Sequence, residues 1–328
     1  MMSFTVVALI IVALAFDFMN GMHDSANAIA TVVSTRVLKP MHAVLWASFF
    51  NFAAFFIFQS GVASTVGKGI ISPELADNAV VFGALAGAII WNVVTWLVGI
   101  PSSSSHALVG GIVGAGVAKG GLHAIVWAGL SKTIYAIVLS PFTGFVIAII
   151  LMILLTWAFV KAHPAWADGV FRKFQLVSSA LYSLGHGSND AQKTAGVIAA
   201  LLYSNHVYKE FFVPSWAIFA CYFVMGVGTM LGGWRIVHTM GSKITKLSPM
   251  QGACANLAGA ITLFMATGLG VPVSTTHTIT GAIIGAGTAK RASSVRWGLA
   301  SSIVWAWIIT MPAAALMAAI FYWLASIL

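Results

Sequence analysis

Long apolar stretches run through almost the whole of this chain, and they constrain its fold more than any other feature. Hydrophobic residues make up 60% of its 328 positions and charged residues 7%, whereas an ordinary soluble domain is about 25% charged. A membrane-crossing helix needs about 20 apolar residues, so the chain has room for about ten such helices and none for a soluble domain. We therefore predict an all-α polytopic membrane protein.

Two polar stretches interrupt these apolar runs at matching places. The first is Asn-Gly-Met-His-Asp-Ser-Ala-Asn-Ala at 20–28, and the second is Gly-His-Gly-Ser-Asn-Asp-Ala-Gln-Lys-Thr at 185–194. Asp24 and Asp190 each close a Gly-x-x-Asp frame, one in each half of the chain. Because a carboxylate at bilayer depth costs about 2.5–3.5 kcal/mol on insertion scales, it marks a functional site by default.

A second pair of segments also repeats. Residues 101–119 align without gaps on residues 272–290, with 10 of 19 positions identical. Each segment opens with proline, a run of Ser or Thr and a histidine, and then continues as an apolar part of about a dozen residues, which is typical of a re-entrant piece rather than a span. The alignment indicates an internal duplication, and an odd number of spans in each half makes the two halves inverted.

The basic links between apolar runs predict the topology, because Lys and Arg favour the cytoplasmic side. We expect the first span to break at Asn20-Gly21, the 61–78 link to be external, and Lys119 to be cytoplasmic. The same scheme places Lys290, Arg291 and Arg296 outside, against the positive-inside rule. The halves are residues 1–160 and 174–328, joined by a cytoplasmic linker at 161–173. The ten predicted spans are 4–34, 41–60, 79–100, 122–140, 141–160, 174–202, 214–232, 249–270, 295–310 and 311–327.

The polar tips at 102–105 and 274–276 suggest an anion site. Each follows a proline and opens a helix, so backbone N–H groups and about half a positive charge point at whatever lies there. Ser and Thr hydroxyls add neutral donors, which suits a tetrahedral oxyanion such as phosphate or sulfate. The alternative is that these hydroxyls only cap their own helices. The Gly-x-x-x-Gly spacing at Gly110/Gly114 and Gly281/Gly285 favours close helix packing.

Asp24 and Asp190 do not favour an anion while they are ionised and unpaired, so they require a cation. This cation is a proton or Na⁺, held with Asn27 and Asn189 as neutral oxygen donors. The cation neutralises the acid and makes the anion site acceptable, which gives a physical reason for coupling. Asp17 lies seven residues before Asp24 and shares its helical face if the helix is unbroken, so it is a candidate proton carrier.

The two polar stretches resemble the duplicated signature of the PiT-type inorganic phosphate transporter family. The segments that carry the resemblance are Gly-Met-His-Asp-Ser-Ala-Asn-Ala and Gly-Ser-Asn-Asp-Ala-Gln-Lys-Thr, together with the two Ser/Thr-His hairpins. The resemblance implies cation-coupled phosphate uptake by a homodimer of inverted repeats in a bacterial plasma membrane, in contact with lipid. The candidate phosphate ligands are Asn27, Ser103, Ser104, Ser105, Asn189, Gln192, Ser274, Thr275 and Thr276.

Two departures from the commonest signature favour protons over Na⁺. His23 replaces the usual Asn, and an imidazole changes its charge near neutral pH. Lys193 follows Asp190 by three residues, as Asn27 follows Asp24, and residues three apart on a helix are neighbours. Its ammonium is therefore a candidate built-in counter-ion, although it could instead reach the membrane interface or bind phosphate. A Na⁺ site at Asp24 and Asn27 remains the alternative.

Other functions are weaker readings of the same residues. A sulfate permease of the same fold and a passive anion channel stay open. An intramembrane hydrolase using Ser105-His106 or Thr276-His277 is disfavoured, because sequence neighbours seldom face each other as nucleophile and base. The net charge of +9 lies in the links and reflects topology, so we expect no nucleic-acid partner. We expect no cofactor beyond the coupling ion.

Overall fold

The computed structural model describes residues 2–58 and 60–327, which are helical apart from turns and one bridge between Ile71 and Ile125. Short 3₁₀ turns join several helices, and a π-helical turn, Thr239–Lys243, continues α9. The predicted outer bounds Met1 and Leu328, and Gln59 in the predicted 41–60 span, lie outside the described residues. The α-helices are α1 Phe4–Ser34, α2 Pro40–Ala53, α3 Gly61–Gly69, α4 Asn78–Val98, α5 Ser104–Gly120, α6 Trp127–Ala158, α7 Pro164–Ser204, α8 Ser215–Leu231, α9 Trp234–His238, α10 Pro249–Gly268, α11 Thr275–Lys290 and α12 Trp297–Ile327.

Contacts between connecting segments define two ends of the helix bundle. At one end, which we call the Asp77 end, Ser204 Oγ donates to the Ala76 carbonyl at 2.6 Å, and Asn205 Nδ2 donates to Asn78 Oδ1 at 2.9 Å. At the other, the Arg36 end, Arg172 donates to the Arg36 carbonyl at 3.3 Å. Helix α1 therefore runs from the Asp77 end to the Arg36 end, and α7 runs back.

The prediction that Lys119 and the 61–78 link lie on opposite sides of the membrane is wrong. Lys119 Nζ lies 2.6 Å from Asp77 Oδ2 and donates to the Leu75 carbonyl at 3.2 Å. Helices α4 and α5 thus form a hairpin that starts and finishes at the Asp77 end. The predicted topology treated only the short segment after Pro101 as re-entrant, whereas α4 is itself one arm of the hairpin.

The prediction that the 235–246 link lies at the opposite end of the bundle from Lys290, Arg291 and Arg296 is also wrong. The Arg296 amide donates to the Ile244 carbonyl at 3.0 Å, so the end of α11 lies beside the basic link after α9. The reason is the same, because α10 and α11 form a hairpin that starts and finishes at the Arg36 end. Most Lys and Arg residues now share this end, and the predicted breach of the positive-inside rule disappears.

Two pairs of predicted spans are single helices. Residues 122–140 and 141–160 were expected to reverse direction at Pro141, but α6 continues through this proline, and α12 likewise continues through Pro312. Proline removes one helical hydrogen bond, and in α6 the Ile137 carbonyl left without that donor accepts instead from Ser140 Oγ at 3.3 Å. Such side-chain compensation is how membrane helices tolerate proline.

The expected break at Asn20-Gly21 is absent, since α1 is continuous from Phe4 to Ser34. Gly21 serves helix packing, because a Cβ there would collide with the Met225 carbonyl on α8. Asn20 bonds with Ser104 on the tip of a hairpin. At 1.5 Å per residue the helix is about 46 Å long, so it extends beyond a hydrocarbon core of about 30 Å or crosses it at a tilt.

By length and hydropathy, the described residues contain five helices able to span a membrane, or up to seven if each bent pair counts as one. This criterion therefore does not confirm the predicted count of about ten. The two bent pairs are α2 with α3 and α8 with α9, and each bends by more than 40°. Helix α7 starts at Pro164, so most of the predicted 161–173 linker is helical.

Glycines let each hairpin pack closely on a helix from the other half of the sequence, as the Gly-x-x-x-Gly spacing predicted. A Cβ at Gly110 or Gly114 of α5 would collide with backbone carbonyls of α12. A Cβ at Gly281 or Gly285 of α11 would collide with backbone carbonyls of α6. These close backbone contacts fix the depth at which the hairpin tips lie.

The fold predicts the sidedness of the hairpins. A cysteine replacing Lys119 should react with a membrane-impermeant thiol reagent from the same side as a cysteine at Glu74, and one replacing Lys290 from the same side as one at Lys243. Right-side-out and inverted vesicles measure this. Labelling of the Lys119 and Glu74 positions from opposite sides would contradict the hairpin arrangement.

Candidate functional site

The two duplicated polar stretches meet inside the bundle. They lie on α1 and α7, and the N-termini of α5 and α11 point at them, so that Asp24 and Asp190 are both buried. The acids and the hairpin tips therefore lie next to each other in the interior. Each acid contacts the tip from its own half of the sequence.

Asp24 has a polar partner on each oxygen. His23 Nδ1 lies 2.7 Å from Asp24 Oδ1, and Ser104 Oγ donates to Asp24 Oδ2 at 2.7 Å. The other ring nitrogen of His23 lies 3.2 Å from Thr95 Oγ1 on α4. These contacts tie α1 to both arms of the α4–α5 hairpin.

Asp190 lies in an ion pair. Lys193 Nζ donates at 2.6 Å to each of three acceptors, namely Asp190 Oδ1, Ser105 Oγ and the Val273 carbonyl. An ammonium has three donors, so that of Lys193 is fully satisfied. Thr275 Oγ1 donates to Asp190 Oδ2 at 3.0 Å. The counter-ion reading of Lys193 therefore agrees with its observed contacts, and Lys193 also joins the tips of both hairpins.

Asn27 makes the corresponding link from α1 to the other half of the sequence. Its Nδ2 donates to Thr276 Oγ1 at 2.9 Å and lies 3.4 Å from Thr275 Oγ1. Tyr182 donates to the Thr275 carbonyl at 3.1 Å and so holds the first turn of α11 from α7. The site is thus built from both halves.

Ser103 and Ser274 act as helix caps. The Ser103 hydroxyl accepts from the His106 amide at 3.2 Å, and the Ser274 hydroxyl accepts from the His277 amide at 3.1 Å. This is the N-cap contact that satisfies an otherwise free amide at the start of a helix. The side chains of Ser104, Ser105, Thr275 and Thr276 instead contact α1 and α7 residues of the site.

Two other predicted ligands bond away from the hairpin first turns. Asn189 fastens the connection between α10 and α11, donating to the Val271 carbonyl at 3.2 Å and accepting from the Val273 amide at 3.1 Å. Gln192 accepts from the Val62 amide at 3.1 Å, at the start of α3. Both contacts hold backbone in place.

Asp17 lies apart, in the apolar interior among α1, α7 and α8. Its Oδ1 accepts from Thr194 Oγ1 at 2.9 Å, whereas its Oδ2 has no hydrogen-bond partner among the described residues. Since α1 is unbroken, Asp17 is two turns from Asp24 on the same helix face. A proton on Asp17 Oδ2 would therefore displace no existing hydrogen bond.

Sequence reasoning missed His186. It is buried on α7 one turn before Asp190, with its Nε2 3.3 Å from Asp190 Oδ2. Its Nδ1 lies 3.1 Å from Asn51 Oδ1 on α2. The signal was available, because residues four apart share a helix face. Asp24, His186 and Asp190 each offer one ligand atom, and these atoms lie within 4.8 Å of one another; they are the described residues best placed to hold a cation.

Comparison with known proteins identifies the family. A sequence model described as the phosphate transporter family matches residues 20–168 and 161–318. The chain belongs to the phosphate transporter family. A protein of Rhizobium meliloti (strain 1021), named a probable low-affinity inorganic phosphate transporter, is 62% identical over 98% of this chain and 96% of its own length. A Bacillus subtilis (strain 168) protein of the same name is 45% identical over 97% and 96%.

A solved structure has the same fold. It is titled the sodium-dependent phosphate transporter and superimposes with a TM-score of 0.89, covering 99% of this chain and 100% of that one, at 24% identity. This family of transporters, together with the apolar helices of the chain, makes this a multi-pass protein of the plasma membrane and excludes the hydrolase reading.

The contacts of Lys193 generate a prediction. Lys193→Ala should be more damaging than the pair Asp190→Asn, Lys193→Ala, because only the single variant leaves a buried acid without its cation. Breaking one side of a buried ion pair typically costs about 3–5 kcal/mol. Melting in detergent and phosphate uptake in proteoliposomes measure the difference.

Two results would contradict the counter-ion role of Lys193. One is equal uptake and equal melting of the single and double variants. The other is a loss confined to phosphate affinity, which would instead make Lys193 a phosphate ligand.

Proposed function

We propose that this protein is a secondary active transporter that carries inorganic phosphate across the plasma membrane by symport with protons. The names of these relatives support phosphate as the transported anion. The anion site lies between the first turns of α5 and α11, and its proposed ligands are the hydroxyls and free backbone amides of Ser104, Ser105, Thr275 and Thr276. Asp24, Asp190, His23, Lys193 and Asp17 form the coupling machinery.

The observation that carries this proposal is the meeting of two helix N-termini at one buried cluster of charged residues. Helix N-termini provide backbone N–H donors and a partial positive charge for a phosphate. Discontinuous helices whose N-termini point at an anion near mid-membrane are typical of secondary transporters. Neutral hydroxyls complete a site that can bind an anion and release it.

The charges around this site support proton coupling. Two carboxylates, Asp24 and Asp190, face one ammonium, Lys193, so an arriving anion meets a cluster that is short of positive charge. Each carboxylate has an imidazole beside it, His23 at 2.7 Å and His186 at 3.3 Å. Protons bound in these two pairs would supply the missing charge. Asp17 offers a further proton position nearer the Asp77 end.

Na⁺ is the alternative to protons as the coupling ion. The expected Na⁺ site pairs Asp24 with Asn27, but their side chains bond to different hairpins, Asp24 to Ser104 and Asn27 to Thr276. Lys193 fills the position next to Asp190 that a second cation would take. Both features favour protons.

We further propose that the chain consists of two inverted repeats. The 10 of 19 identities between 101–119 and 272–290 support this, as does the parallel order of elements, in which α4–α5 and α10–α11 are the re-entrant hairpins. Each half then crosses the membrane three times, as α1, α2–α3 and α6 or as α7, α8–α9 and α12. An odd number of crossings gives the inversion.

The orientation follows from the positive-inside rule. The Arg36 end gathers the basic links around Arg36, Arg172, Lys243 and Arg296, and we assign it to the cytoplasm. The homodimer is proposed on the family resemblance alone.

The hydroxyl ligands can be tested together and singly. Replacing Ser104, Ser105, Thr275 or Thr276 by alanine should weaken phosphate binding by about 1.5–3 kcal/mol for each lost hydrogen bond to a charged ligand. Binding isotherms of purified variants measure this, and Thr143→Ala, which removes a hydroxyl that donates to the Leu139 carbonyl of its own helix, is the matched control. Wild-type affinity after replacement at both tips would rule out this site.

The anion and the coupling ion can be tested in one assay. Proteoliposomes should accumulate labelled phosphate when a proton gradient is imposed without Na⁺, and proton uncouplers should abolish the accumulation. Uptake that needs Na⁺ at constant pH and resists uncouplers would reverse the coupling assignment. Stronger accumulation of sulfate would indicate a sulfate permease, and conductance without accumulation would indicate a channel.

A further inference from the structure

Two threonines make the same unusual pair of contacts on opposite sides of the molecule. Thr65 Oγ1 on α3 donates to the Gly270 carbonyl at 2.6 Å and lies 3.3 Å from the Gly61 carbonyl of its own helix. Thr239 Oγ1, just after α9, lies 3.2 Å from the Gly99 carbonyl and 3.2 Å from the Arg235 carbonyl of its own helix. Each threonine thus joins a short bent-off helix to the tip of a hairpin.

The correspondence extends through the sequence. Thr65 and Thr239 each open a Thr-x-Gly triplet, and the glycines that they contact, Gly99 and Gly270, stand at the same position before the aligned hairpin prolines. Both glycines have a positive φ, +77° and +64°, which glycine adopts without steric cost. The contacts also cross between halves, because the α3 threonine holds the second hairpin and the α9 threonine holds the first.

The two contacts lie at opposite approaches to the proposed anion site. Gly99 precedes Ser104 by five residues at the tip that faces the Arg36 end, where Arg235 packs against it. Gly270 precedes Thr275 by five residues at the tip that faces the Asp77 end, where Gly61 packs against it. A tip that moved away from its threonine would open a path from one end only.

We propose that Thr65 and Thr239 are a matched pair of gate latches, positioning residues that hold the hairpin tips closed at the Asp77 end and the Arg36 end respectively. This inference rests on the proposed transport function, since gates matter only to a transporter. In the described structure both latches are closed, which corresponds to a site sealed from both sides. Transport then requires that one latch opens while the other holds.

The latches differ in the contacts that surround them. Arg235 stands one helical turn before Thr239, as Gly61 stands one turn before Thr65. The guanidinium of Arg235 donates to the Leu97 carbonyl at the end of α4. Charge-assisted hydrogen bonds are stronger than neutral ones, and glycine offers no such contact at the Asp77 end. The Arg36 end therefore has a charge-assisted contact beside its latch that the Asp77 end lacks.

Thiol modification rates test the pair without relying on transport. Single cysteines at Ile100 and Val271, the residues after the two tip glycines, serve as reporters for a membrane-impermeant thiol reagent applied from each side. The rate of the parent protein, whose Cys221 and Cys254 are buried, is subtracted. Each reporter is combined with Thr65→Val or Thr239→Val, which remove the hydroxyl and keep the shape.

We expect a crossed pattern. Thr239→Val should raise the rate at Ile100→Cys from the Arg36 side by about two- to tenfold, the effect of one lost neutral hydrogen bond, and leave or lower the rate at Val271→Cys. Thr65→Val should do the reverse. Arg235→Ala should act like Thr239→Val and more strongly. Thr65→Ser and Thr239→Ser, which keep the hydroxyl, should retain parental rates.

Thr143→Val is the control, because Thr143 donates only to the Leu139 carbonyl of its own helix. Equal rises at both reporters would indicate general loosening and overturn the proposal, as would unchanged rates at both. The crossed pattern in a protein that fails to accumulate phosphate would uphold the latches and reject the proposed function, so the two failures are distinguishable.

Discussion

The assembly of the site depends on the three hydrogen bonds that the Lys193 ammonium donates. This ammonium donates at 2.6 Å to Asp190 on its own helix, to Ser105 on the first hairpin and to the Val273 carbonyl on the second. A charge buried at membrane depth is costly unless it is paired, so this lysine is satisfied only when both hairpins close on α7. The ion pair thereby couples the position of each tip to the other.

Close backbone packing makes that arrangement possible. Glycines on α5 and α11 let the hairpins approach α12 and α6 until a Cβ would collide with the opposing carbonyls. Association of helices in lipid relies on such packing, because burying apolar surface gives no advantage there. Since each hairpin rests on a helix from the other half, the two halves cannot form separate cores, and their shared interior holds the buried acids Asp24 and Asp190.

The duplicated signatures make similar contacts with their own hairpins but differ in charge. His23 and Asn189 stand at equivalent positions, each directly before the aspartate of its signature, and each reaches its own hairpin, one through Thr95 and the other through Val271 and Val273. Asn27 and Lys193 are likewise equivalent, but one is neutral and the other charged. The two signatures therefore place different charges at equivalent positions.

Local patterns predicted the elements that depend on local chemistry. Membrane helices, the helices that open after Pro101 and Pro272, and glycine packing follow from apolar length, the polar residues at the helix starts, and spacing. The expected breaks at Asn20-Gly21 and Pro141 failed, because helix-breaking residues were compensated by contacts that the sequence does not reveal, such as Ser140 with Ile137. His186 was overlooked for a related reason, since its significance comes from facing Asp190 together with the distant Asn51.

The sequence by itself determined that this is a helical membrane protein with two duplicated polar sites, because hydrophobic length and the cost of buried carboxylates act through local composition. Only the tertiary structure decided which hydroxyls face the acids, which serve as caps, and on which end each hairpin finishes. Those outcomes depend on contacts between residues from opposite halves, such as Asn27 with Thr276. Helix packing, rather than any local preference of the chain, sets those distances.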